Sequence, residues 1–147
     1  MVSTFVLVTE FPATSDRMFE LSLNIDAHLE SMKDSGEQAV GGVTSGQIGL
    51  GQTVTWRARH GGIWFTMTSK ITAFEHSIRF VDAQVKGPFK SFVHEHAFEE
   101  IPGGCRMTDT VTLAAPAWGR FAERGVLVPY LRRLIRRRNV TLVGLVG

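Results

Sequence analysis

The chain has 147 residues, of which 44% are hydrophobic and 20% charged, and its formal net charge is +2. That is enough for one domain over residues 1–147 with a real core, and a chain this apolar and weakly charged is not disordered. No window approaches the roughly 20 apolar residues of a membrane span, so stable membrane insertion is excluded.

The chain opens with a β-rich run, Phe5 to Glu10, ended by Pro12. Thr14 and Ser15 are N-cap candidates for a helix through Leu23 that buries Met18, Phe19, Leu21 and Leu23. Asn24 to Met32 reads as a second short helix. Met1 to Val8 has neither a basic n-region nor a long apolar run, and the single Cys105 cannot form an internal disulfide, so the reading is a cytoplasmic protein. Glu37 to Gly51 is rich in glycine but precedes a strand, not a helix, which argues for bulged strands and a loop over a phosphate cradle.

Thr53 to His60 alternates, with Val54, Trp56, Ala58 and His60 on one face. Gly61-Gly62 is a two-residue hairpin turn that sets Ala58 against Phe65, Trp56 against Met67 and Val54 against Ser69. The returning strand continues through Ile71 to about Phe74. His76 to Val85 is another strand, with Phe80 and Asp82 on one side and Val81 and Ala83 on the other, and its facing is ambiguous. After Lys86-Gly87-Pro88 comes the most informative stretch, in which Phe92, His94, His96 and Phe98 share one face. A turn within Ile101 to Gly104 leads to Met107, Asp109, Val111 and Leu113 on the matching face. The shared apolar face fixes the register, placing Phe98 opposite Met107, His96 opposite Asp109 and His94 opposite Val111. Ionisable groups on an apolar surface are costly unless paired or wet, which points to a lined cavity.

Pro116, Trp118 and Gly119 end the strands, and the period then becomes helical. Phe121, Leu127, Val128, Leu131, Leu134, Ile135 and Leu142 form one stripe, with Pro129 expected to kink or restart the helix. Five arginines crowd this segment. Arg132, Arg133, Arg136 and Arg137 lie off the stripe, whereas Arg138 lies in it and is expected to reach Asp82 or Asp109. The four outward arginines read as a solvated face rather than a nucleic-acid contact, and the apolar tail Val140 to Gly147 is either a homodimer contact or the helix end. The fold class is α+β: a curved antiparallel sheet wrapped around a long C-terminal helix.

This order of elements resembles the helix-grip fold of the START/Bet v 1-like (SRPBCC) superfamily, in the texture of bacterial polyketide cyclase/dehydrase-type proteins. The resemblance is carried by Gly49 to Trp56, Gly87-Pro88-Phe89-Lys90, His94 to Glu99, and Met107-Thr108-Asp109 before Pro116. It implies a hydrophobic cavity between sheet and helix that holds lipids, sterols or polyketides, with ring closure or dehydration in a minority of members.

His94, His96 and Asp109 are the candidates for acid–base chemistry, with His96 and Asp109 as the working pair, since a carboxylate fixes the imidazole tautomer and raises its basicity. The competing and preferred reading is a buried His-Asp hydrogen bond that orders the hairpin and does no chemistry. Trp56, His60, Phe65, Met67, Phe80, Phe92, Phe98, Met107, Leu131 and Arg138 are the candidate ligand-binding residues. His94, His96 and Glu100, with His60 as a fourth, form a weak metal pattern, and the sequence calls for no metal and no cofactor. The readings rank as a carrier or sensor of a hydrophobic small molecule, then a cyclase or dehydratase, then a module acting through the arginine-rich helix.

Overall fold

The structure is a computed structural model that describes residues 2–116, 119 and 122–146. Seven strands make one antiparallel sheet: β1 (Ser3–Phe11), β2 (Gln38–Gly42), β3 (Thr53–His60), β4 (Ile63–Glu75), β5 (Arg79–Lys86), β6 (Ser91–Ile101) and β7 (Gly104–Ala114). Their order is β1-β7-β6-β5-β4-β3-β2, so β1 closes the sheet beside the last strand rather than the second. Helices α1 (Ser15–Ser22) and α2 (Ile25–Ser31) fill the gap this jump leaves, and α3 (Val128–Val146) lies across the covered face.

Local chemistry sets the boundaries. The Thr14 side chain accepts from the Arg17 amide and Asn24 from the Ala27 amide, so each short helix starts on a polar cap. Gly61 and Gly62 both have positive φ, as a tight hairpin between right-twisted strands requires, and the β3/β4 register is the one the alternation predicts. The β6/β7 pairs Phe98 with Met107, His96 with Asp109 and His94 with Val111 also form as expected. The strand expected from His76 starts at Arg79 instead: Ser77 takes a left-handed φ of 64°, and the Ile78 amide donates to the Glu75 carbonyl at 2.9 Å, making residues 76–78 a turn. In the glycine-rich stretch, β2 slips register between Ala39 and Gly41, and a Cβ at Gly42 would meet the Thr53 carbonyl oxygen. Further slips in β4, at Thr68/Ser69 and Ile71/Ala73, bend the sheet.

Pro129 sits in the first turn of α3, where its missing N–H has no helical partner to lose, and residues 123–127 precede it as a π-helical turn. Leu131, Ile135, Arg138, Asn139 and Leu142 then form the buried stripe; Trp118 and Phe121 lie outside the described residues. Glu123, fully buried, accepts from Ser3 Oγ and from the Ala115 amide, tying the turn to β1 and the end of β7.

Two apolar clusters result. Leu131 and Ile135 pack with Phe5, Leu7, Phe92, Val111 and Leu113. Met18 and Phe19 of the helical corner pack with Phe80, Phe98, Met107 and Leu142. Phe19 is the centre of the second, with edge-on contacts to Phe74, Phe80 and Phe98 at centroid distances of 5.2, 5.7 and 5.7 Å. Val143 and Val146 of the tail pack against that cluster, while Val140 and Leu145 are exposed.

Candidate functional site

Between the covered face and α3 lies a cavity of about 410 Å³. Trp56 and Ala58 from β3, Phe65, Met67 and Ile71 from β4, Phe80 and Asp82 from β5, Phe92, His94 and His96 from β6, and Leu131, Leu134 and Arg138 from α3 line it. Trp56, Phe65 and Met67 point inward yet are only half-buried, which separates a wall from a core. The Trp56 ring stacks on His28 at 4.1 Å, and His28 pairs with Glu37. His60 Nδ1 meets the Tyr130 hydroxyl at 2.7 Å, joining β3 to α3.

One wall of the cavity carries a hydrogen-bonded polar cluster. His94 Nε2–H donates to Asp109 Oδ1 and His96 Nε2–H to Asp82 Oδ2, each at 2.7 Å. The two imidazoles stack with centroids 3.8 Å apart, and His96 also stacks on Phe80 at 4.1 Å. Arg138 Nη2 donates to Asp109 Oδ1 at 3.0 Å, and Asn139 Nδ2 to Asp109 Oδ2 at 2.8 Å. The Asn139 side-chain oxygen in turn accepts from Arg138 Nε and Nη2.

This geometry corrects the expected working pair. His96 stands opposite Asp109 in the ladder, but its Nδ1 is 3.3 Å from Asp109 Oδ1 and makes no hydrogen bond, while its Nε2 engages Asp82 on the other neighbouring strand. Both histidine bonds run diagonally, because twist brings a long side chain nearer the residue two along than the one facing it. Of the two expected partners for Arg138, Asp109 is the one bonded.

Burial would raise both carboxyls, but their partners outweigh it. Asp109 is held well below the usual carboxylate range, chiefly by the Arg138 charge and the His94 hydrogen bond. Asp82 is held below it by the His96 hydrogen bond and by His94, His96 and Arg138 nearby. Burial, reinforced by His94, lowers His96 to about 4 against the pull of Asp82 and Asp109, so its ring is neutral near pH 7. Burial likewise lowers His60.

Phe98 and Met107 do not line the cavity; Phe19 closes over that end of the sheet, and both are core residues. Glu100 does not join the histidines either, since its Oε1 accepts from the Ser15 amide at the start of α1. The group among the described residues that could hold a metal ion is Asp82, His94 and His96, whose ligand atoms lie within 4.8 Å of one another. Asp82 and Asn139 are the members of the polar cluster least visible in the sequence. Asp82 alternates with Phe80 on one face, which is a usable signal, whereas Asn139 carries none.

A bent antiparallel sheet gripping a C-terminal helix around a hollow, mostly apolar interior defines the helix-grip, Bet v 1-like fold. The sequence matches the family described as "Polyketide cyclase / dehydrase and lipid transport" over residues 4–147, and the chain belongs to it. No curated protein matches it. Among solved structures it is similar to TTHA0849 from Thermus thermophilus (16% identity, 99% of this chain and 100% of that one, TM-score 0.74). It is also similar to Ms6760 from Mycobacterium smegmatis (20%, 97% and 89%, 0.73) and to major latex-like protein 151 from Panax ginseng (15%, 95% and 97%, 0.67). At these identities the likeness concerns the fold. No helix among the described residues is long and apolar enough to cross a membrane.

Proposed function

We propose that the protein binds a hydrophobic small molecule, lipid-, sterol- or polyketide-like, inside this cavity as a carrier or sensor. The observation that carries the reading is the half-burial of Trp56, Phe65 and Met67 around about 410 Å³ of space, a volume in the range of small-molecule sites. Flat aromatics and a flexible thioether suit a bulky apolar guest. His60, Phe80, Phe92 and Leu131 complete the proposed contact surface, and the polar wall with Arg138 orients one end of the guest. The proposed compartment is the cytoplasm, supported by an unpaired, buried cysteine.

The test is fluorescence titration with the neutral probe N-phenyl-1-naphthylamine. Wild type should bind at one equivalent, and Ala58→Phe, which fills the wall beside Phe65, should lose most of that binding while keeping its far-ultraviolet circular dichroism. No saturable binding to wild type, or equal binding to a folded Ala58→Phe, would rule the reading out.

A second reading rests on His96 Nε2 lying 2.7 Å from Asp82 at the cavity wall. In this pair His96 Nδ1 is buried and Asp82 is exposed on the wall, so the carboxylate exchanges a proton with an enolisable ketone while His96 holds it in place, as ring closure or dehydration requires. In that case His96→Ala would lose turnover of a polyketide-like ketone far beyond any change in probe affinity. Equal turnover in the two proteins would leave only the carrier.

A further inference from the structure

The two carboxylates bonded to the histidine pair are not equivalent. Asp109 is fully buried and receives three hydrogen bonds, from His94, Arg138 and Asn139. Its charge is therefore matched by a guanidinium within the protein. Asp82 receives one side-chain hydrogen bond, from His96, and its side chain is 21% exposed on the cavity wall, against 9% for Arg138 and 4% for His96.

Among the described lining residues the charges are thus unbalanced. Arg138, the Lys or Arg side chain among them, has Nε and Nη2 committed to Asn139 and Asp109. Among the described residues no Lys or Arg bonds Asp82, and Glu37, the other carboxylate on the wall, likewise has a histidine partner, His28, but its side chain is only 8% exposed. An ionised carboxylate at the edge of an apolar cavity is costly unless a partner matches it, and an arriving cation gains the pairing that the protein leaves unmade. Phe65, half-buried, shares the cavity and adds an aromatic ring to the lining.

We infer that the guest is an amphiphile with a protonated amine at one end, and that Asp82 is its counter-ion in the cavity. This rests on the ligand-binding reading above and narrows it to a substrate class. A fatty acid or other carboxylate would meet Asp82 with like charge, whereas a neutral alcohol would keep a hydrogen bond and lose the charge pairing.

The experiment displaces N-phenyl-1-naphthylamine from the full chain with decylamine, decanol and decanoate, all below their micellar concentrations. In wild type the ammonium should displace the probe at concentrations about tenfold below the carboxylate, with the alcohol between. In Asp82→Asn the amine-to-carboxylate ratio should fall to within about twofold of unity. Because the ratio is taken within one protein, a general loss of affinity does not move it. Decanoate equal to or better than decylamine in wild type would overturn the assignment and point to Arg138 as the polar anchor. Retention of the full amine preference in Asp82→Asn would overturn it too. Failure of the neutral probe to bind wild type would remove the cavity reading and this inference together, whereas probe binding without headgroup preference removes this inference alone.

Discussion

Asp109 on β7 and Asp82 on β5 flank the same pair of histidines, yet one is sealed and saturated while the other opens on the cavity. The difference comes from what covers each strand. Over β7 the helix α3 lays Arg138 and Asn139 directly on the carboxylate. Over β5 no described helix residue bonds Asp82, whose side-chain hydrogen bond comes from His96 on the neighbouring strand. Carboxylates of the same type on the same sheet thus divide into one saturated by the helix and one that opens on the cavity.

The largest way to break this contrast is Asp109→Ala. It strands the Arg138 guanidinium in the interior, and urea unfolding should show a loss of about 3–5 kcal/mol. The double variant Asp109→Leu/Arg138→Met should recover most of it, because a buried pair replaced by apolar side chains of similar size costs little. A loss below about 1 kcal/mol for Asp109→Ala would mean that the pair is not structural.

The next effect is a pH dependence centred between the two carboxylates. His96 falls from 6.5 to about 4 on folding, so between those values the unfolded chain binds a proton that the folded chain refuses. Stability from this group is complete above about pH 6.5 and should fall by on the order of 3 kcal/mol as pH drops to about 4. Below that, Asp82 and Asp109 continue the loss in the same direction, because their folded values are depressed and the unfolded carboxylates protonate first. His96→Asn should flatten the upper window and leave the part of the lower one that Asp109 supplies. An unchanged upper window in that variant would assign the proton to another group.

The smallest effect sharpens the comparison from the open side. Asp82→Asn, with its single bond and partial exposure, should change unfolding stability by less than about 1 kcal/mol. A cost near that of Asp109→Ala would show the two sites to be one structural unit.

Much of this arrangement is legible in the sequence for a simple reason. Period-two alternation with Gly61-Gly62 and Pro102-Gly103 as turns leaves little freedom in register, so Trp56 against Met67 and His94 against Val111 follow from pattern alone. The position of Arg138 within the apolar stripe of α3 likewise marks it as inward-reaching. What pattern does not carry is the diagonal reach of side chains across a twisted sheet, which moves His96 from Asp109 to Asp82. Nor does it distinguish a wall from a core. Phe65 and Phe98 are equivalent as inward aromatics in strands, and only the placement of Phe19 makes one a lining residue and the other packed. The facing of β5 is undecided by pattern because Val81 is buried on the opposite side from Phe80.

The methionines report directly on whether the interior is hollow at one end and solid at the other. Met32 and Met67 line the cavity, while Met18 and Met107 are fully buried in the packed end. With methyl-labelled methionine, titration of decylamine followed by NMR should shift the Met67 resonance to saturation at one equivalent and leave that of Met107 in place. An unmoved Met67 methyl, or equal shifts at Met67 and Met107, would contradict a guest held in the space between the sheet and the final helix.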